Sequence, residues 1–142
     1  MIRWTLVAAA GIVLGAAGLV AAQHDEKHKA VRTLAVRDIV EKLDGKKAKA
    51  TTVEVTLGPG EASAPHRHPG PAFGFVLEGE YEWAIDDNPA RVLMAGDTYY
   101  EPTGCLHRVS RNPSKEGKTR ILAVVLHPAD VKDIVIPEKD KK

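Results

Sequence analysis

Residues 60–79 read GEASAPHRHPGPAFGFVLEG, and the decisive question is whether His66 and His68 hold a metal. In an extended segment alternate side chains share a face, which sets these two Cα atoms about 6.5 Å apart. Both imidazoles can then reach one ion. Pro65 and Pro69 flank the pair and restrict its backbone, lowering the entropy lost in holding that geometry. By the same alternation Ala72, Gly74 and Val76 fall on one face of the run that follows, so the wall beside the histidines is small and apolar. An H-x-H pair alone is a weak signal, because two surface histidines give the same pattern.

Outward from this stretch the period stays at two. In TTVEVTLGPG, residues 51–60, Val53, Val55 and Leu57 alternate with Thr52, Glu54 and Thr56 until Gly58-Pro59-Gly60 ends the run. Strand-like stretches follow at AFGFVLEG, EYEWAIDD, ARVLM, DTYYEP, LHRVSRN and KTRILAVVLHP, separated by turn-forming residues such as Asp86-Asp87-Asn88-Pro89 and Pro102-Thr103-Gly104. Many short strands at close spacing predict an all-β sandwich or barrel over residues 50–128. Phe73, Phe75, Leu77 and Trp83 read as core, and His127 as structural or exposed. Residues 23–49 read as a charged linker and a lead-in. Ile39 and Leu43 stand four apart before Asp44-Gly45, which predicts a short helical or irregular segment docked on the barrel edge. Residues 129–142 read as a solvated C-terminal tail.

The chain of 142 residues has room for one ordinary domain. Its first residues differ from the rest: Arg3 is followed by an uncharged Ala- and Gly-rich run from Trp4 to Ala22, ending in small residues. This predicts a signal peptide over residues 1–22, a mature chain beginning near Gln23, and a periplasmic or secreted location. The alternative is an uncleaved anchor over residues 4–22, although the Ala- and Gly-rich composition makes a weak spanning segment. Removing residues 1–22 takes away one positive charge and leaves acids and bases balanced, so no nucleic-acid surface is implied. Cys105 is the sole cysteine; no intramolecular disulfide can form, and the core must hold the fold.

Residues 96–107, GDTYYEPTGCLH, match G-x5-P-x-G-x2-H, and residues 60–79 match G-x5-H-x-H-x3-E-x6-G in both glycines and both histidines. These two blocks, in order, resemble the signature motifs of the cupin superfamily, and the chain resembles a small single-domain cupin over about residues 50–127. The resemblance implies a jelly-roll barrel (double-stranded β-helix), a divalent metal held by His66, His68 and His107, a small-molecule ligand or substrate, and a homodimer paired through barrel edges. Two positions depart from the pattern. Ala72 stands where the first motif has its glutamate, and Arg111 stands where an asparagine often follows the second motif, with Asn112 one later.

With three neutral imidazoles and no carboxylate the cation keeps its full charge and an open coordination position. Iron(II) suits such a site, with zinc, manganese, nickel or copper as alternatives. Cys105 lies two before His107, so an extended chain turns its sulfur the same way as a fourth ligand; the other reading is a small buried thiol packed as a hydrophobe. Glu101 and Tyr99 alternate along TYYEP and could project near the site, and with Tyr100 they are the candidate catalytic groups. Two functions follow. One is an exported metalloenzyme acting on a small molecule, dioxygenase-like because three-histidine cupins include thiol and diketone dioxygenases. The other is a non-catalytic metal- or ligand-binding module, a sensor or storage protein. Fold analogy does not choose the reaction.

Overall fold

The computed structural model describes residues 30–138. The export segment expected over residues 1–22 lies outside the described residues, as do residues 139–142. The strands are β1 (Val31–Leu43), β2 (Lys46–Leu57), β3 (His66–Arg67), β4 (Ala72–Glu78), β5 (Glu80–Ile85), β6 (Arg91–Met94), β7 (Thr98–Glu101), β8 (His107–Arg111), β9 (Thr119–Pro128) and β10 (Ile136–Pro137). Two five-stranded sheets form, ordered β1-β2-β9-β4-β7 and β10-β3-β8-β5-β6, and every pairing is antiparallel. This is the expected all-β, double-sheet barrel. Each strand-like stretch named between residues 51 and 128 coincides with one of its strands, although β2 begins earlier, at Lys46.

The apolar side chains facing inward from both sheets make the core: Leu57, Val76, Tyr81, Trp83, Ile85, Leu93 and Ile121 pack together. Alternation along β4 sends Ala72, Gly74 and Val76 inward, as the period predicted. The same alternation corrects the reading of its aromatic residues. Phe73, Phe75 and Leu77 are 49 %, 40 % and 38 % exposed on the outer face, and only Trp83 of that group is core. Inward-facing Gly74 has a steric reason: a Cβ there would lie 1.9 Å from Cζ of Tyr99, its register partner on β7. The tyrosine ring occupies the volume that a side chain would need.

Residues 31–43 do not form the expected helical or irregular lead-in. They are an edge strand paired with β2 from Val31↔Val55 to Leu43↔Lys46. Asp44 and Gly45 both take positive φ, 50° and 75°, the geometry of a two-residue type I′ hairpin turn. The Asp-Gly pair read as a helix stop is therefore a strand reversal. The bulges between Thr33 and Ala35 and between Ile39 and Lys42 break the strict alternation that would have revealed the strand.

The C-terminal segment is also more than a solvated tail. Ile136 and Pro137 pair with Arg67 and His66; Arg67 ties the segment down by donating from Nε to Glu138 (2.9 Å), and its Nη1 donates to the Gly104 carbonyl in the β7–β8 turn (2.7 Å). Asn112, one place past the motif position, is fully buried. Its amide donates to the carbonyls of Gly58 and Gly117, a structural tie between the end of β2 and the β8–β9 connection. His127 is structural: it is buried, with its Nε2 2.8 Å from the Thr51 hydroxyl.

Candidate metal centre

The short strand β3 lies between β8 and β10, and this brings the two motifs together: His66 is the register partner of His107. His68, two residues on, faces the same interior. The imidazole centroids stand 5.0 Å apart for His66 and His68, 4.9 Å for His66 and His107, and 6.5 Å for His68 and His107. One candidate ligand atom from each lies within 4.8 Å of the other two, the spacing of a group that could hold one divalent metal.

The backbone fixes which nitrogens are free. His66 Nδ1 lies 2.8 Å from the Ala64 carbonyl, and His68 Nδ1 lies 2.6 Å from the Ile134 carbonyl. A carbonyl only accepts, so each Nδ1 carries the proton and each Nε2 presents a lone pair. His107 has its Nε2 3.2 Å from the Tyr81 hydroxyl, while its buried Nδ1 has no hydrogen-bond partner among the described residues. Burial holds all three imidazoles below the usual histidine range, His107 down to about 3. They are neutral at neutral pH, the form that ligates metal.

Glu101 on β7 lies beside this group, close to His68 and His107 but outside the set of three mutually close ligand atoms. It is 1 % exposed; its Oε1 accepts from Trp83 Nε1 at 3.0 Å and lies 3.1 Å from His107 Nδ1. Its Oε2 lies 3.4 Å from His68 Nε2 and, although buried, has no hydrogen-bond partner among the described residues. These approaches are not ion pairs, since burial pushes the carboxyl up while it pushes the imidazoles down. A buried carboxylate oxygen and a buried imidazole nitrogen, both without partners, are what a cation between them would satisfy. The donor set, imidazole with carboxylate, suits iron, zinc, manganese, nickel or copper.

The other sequence candidates separate. Tyr99 lines the cavity, with its ring 5.6 Å from Tyr81, 5.6 Å from Trp83 and 6.5 Å from His107. Burial raises the Tyr99 hydroxyl well above the ordinary phenol range, so it offers a proton rather than a base. Tyr100 points the other way, 50 % exposed with its ring 5.2 Å from that of Phe73, and does not line the cavity. Cys105 is half-buried against the core cluster and outside the group formed by the three histidines. Burial, its largest influence, pushes its thiol up to about 11. Sequence reasoning missed the Ile134 carbonyl behind His68, because nothing in a short C-terminal segment signals a backbone acceptor.

The three imidazoles and Glu101 line one side of a cavity of about 350 Å³. Its remaining wall is mostly aliphatic, including Val53, Val55, Ile121, Ala123 and Val125. Among the described residues, no lysine or arginine lines it.

A barrel of this topology with clustered motif histidines defines a class, and the comparisons agree. The cupin domain family matches residues 53–125, and the chain belongs to the cupin family. A solved cupin 2 conserved barrel domain protein from Salinispora arenicola is similar at TM-score 0.52 and 23 % identity, covering 70 % of this chain and 75 % of that one. The DMSP lyase DddQ from Ruegeria pomeroyi is similar at TM-score 0.51 and 22 % identity, over 78 % of this chain and 54 % of that one. Among curated proteins, a gentisate 1,2-dioxygenase from a Streptomyces species is 41 % identical over 51 residues. That match covers 36 % of this chain and spans only 14 % of the enzyme's length.

Proposed function

We propose that this chain is an exported cupin that binds one divalent transition metal, iron(II) foremost, and uses it in dioxygenase-like chemistry on a small molecule. The observation that carries the reading is the cluster of three neutral imidazoles beside a buried carboxylate at the wall of an apolar cavity. The sequence likeness to a segment of a gentisate 1,2-dioxygenase supports the reaction class. A metal held there would supply Lewis-acid or redox chemistry.

The chain's own residues do the rest. His66, His68 and His107 would hold the ion, their free nitrogens aimed by the Ala64 and Ile134 carbonyls and by Tyr81. The mostly aliphatic wall lowers the local polarity around the histidines, which strengthens electrostatic contacts there. Tyr99, kept protonated by burial, can donate a hydrogen bond to a bound oxygen. With no lysine or arginine in the lining, a carboxylate remote from the metal would have no partner. Neutral substrates, or those whose one anionic group sits at the metal, such as diketones, thiols and catechols, therefore fit best.

Protein purified without a histidine tag, loaded anaerobically with iron(II) and tested for oxygen uptake against these classes, decides the matter. Uptake with at least one class, lost on chelation, is expected. Metal bound at one per chain with no uptake across the panel would refute the enzyme reading. Export rests on residues 1–22 of the sequence alone; an intact mass that still contains them, in the membrane fraction, would refute cleavage.

A further inference from the structure

The first motif lacks its carboxylate, yet the cavity contains one. We propose that Glu101 on β7 supplies to the metal the carboxylate that position 72 on β4 does not; the inference rests on the metal-site reading above. Ala72 and Glu101 are direct register partners in the antiparallel β4–β7 pair. Side chains opposite one another in such a pair leave the same face with Cβ atoms about 4.5–5.5 Å apart. A carboxylate lost from one position is thus recovered at its neighbour across the ladder.

The geometry fits a ligand. With metal–nitrogen and metal–oxygen bonds of about 2.1 Å, two ligand atoms on one ion stand about 3.0 Å apart at right angles and about 3.4 Å apart at the tetrahedral angle. Glu101 Oε2 lies 3.4 Å from His68 Nε2, the spacing of two ligands at the tetrahedral angle. Trp83 holds Oε1 by its indole N–H and leaves Oε2 as the oxygen without a partner. Trp83 is accordingly a positioning residue.

Ala72 is 2 % exposed and lines the same cavity as Glu101. A glutamate at both positions would crowd two carboxylates together in one cavity, so the small residue at 72 and the acid at 101 belong together. The outcome is a site with three imidazoles and one carboxylate, whose acid arrives from the opposite side of the β4–β7 ladder.

The test is a cobalt(II) titration, followed by calorimetry and by the visible absorption of the bound ion, on wild type, Glu101→Gln, His66→Ala and the exchange variant Ala72→Glu/Glu101→Ala. Glu101→Gln keeps the shape and the acceptor for Trp83, so folding is retained and the ligand charge alone is lost. The expected result is a fall in affinity of at least tenfold with an altered cobalt spectrum, and recovery of most of that affinity in the exchange variant. Glu101→Gln that binds cobalt as wild type does, while His66→Ala does not, would overturn the assignment and leave the histidine site intact. No cobalt binding by wild type would overturn both.

Discussion

Acidification of the metal-free protein should destabilise it through His107. In the folded chain burial lowers this imidazole from 6.5 to about 3, with the neighbouring His66 and His68 adding to the effect. The unfolded chain takes up the proton near the ordinary value while the native state refuses it. Stability is therefore complete above the unfolded value and is lost as pH falls toward the folded one. At about pH 5 the solution lies about 1.5 below 6.5, and at about 1.4 kcal/mol per pH unit the loss from His107 reaches about 2 kcal/mol. That is a large part of the 5–15 kcal/mol that typically holds a domain. Glu101 titrates in the opposite sense: burial raises its carboxyl, so its contribution becomes more favourable on acidification. The clean quantity is thus a difference between two proteins. Urea unfolding of chelator-treated wild type and His107→Gln at about pH 7 and about pH 5 should give a wild-type loss larger by about 2 kcal/mol. Equal losses would refute the account of a neutral, desolvated His107.

Three other outcomes are expected. Gly74→Ala should cost about 1–3 kcal/mol in thermal or urea unfolding, because its Cβ would meet the Tyr99 ring at 1.9 Å; an unchanged midpoint would contradict that packing. Truncation after Asp133 removes the Ile134 carbonyl that orients His68 and should weaken metal binding by about 10–100-fold, measured by competition with a chromogenic chelator. The homodimer expected from the resemblance to small cupins, paired through barrel edges, predicts a mass of two chains by light scattering at micromolar concentration, and a single-chain mass would remove it.

The barrel was legible because its signals are local. Alternation at Val53, Val55 and Leu57, and turn residues between the later runs, place seven strands in the right order, and the two glycine-bounded histidine blocks place the site on them. What was not legible depends on pairing across the sheets. The helix-like spacing of Ile39 and Leu43 hid β1, whose identity is set by the hairpin turn at Asp44-Gly45 and by β2 beside it. Phe73 and Phe75 are a different case: composition makes them look like core, while the local alternation that puts Ala72, Gly74 and Val76 inward already sends them outward. Glu101 and Tyr100 could not be ranked by type. Only the register that sets Glu101 against Ala72 turns the acid into the cavity and the exposed tyrosine away from it.

The central claim is that the two motifs converge on one cation site. Elemental analysis of untagged protein after anaerobic loading with iron(II) and removal of free ion, run beside a His66→Ala/His68→Ala variant of retained fold, tests it most directly. The account predicts about one metal per chain in the parent and essentially none in the variant. Equal metal content in the two, or none in the parent, would contradict it.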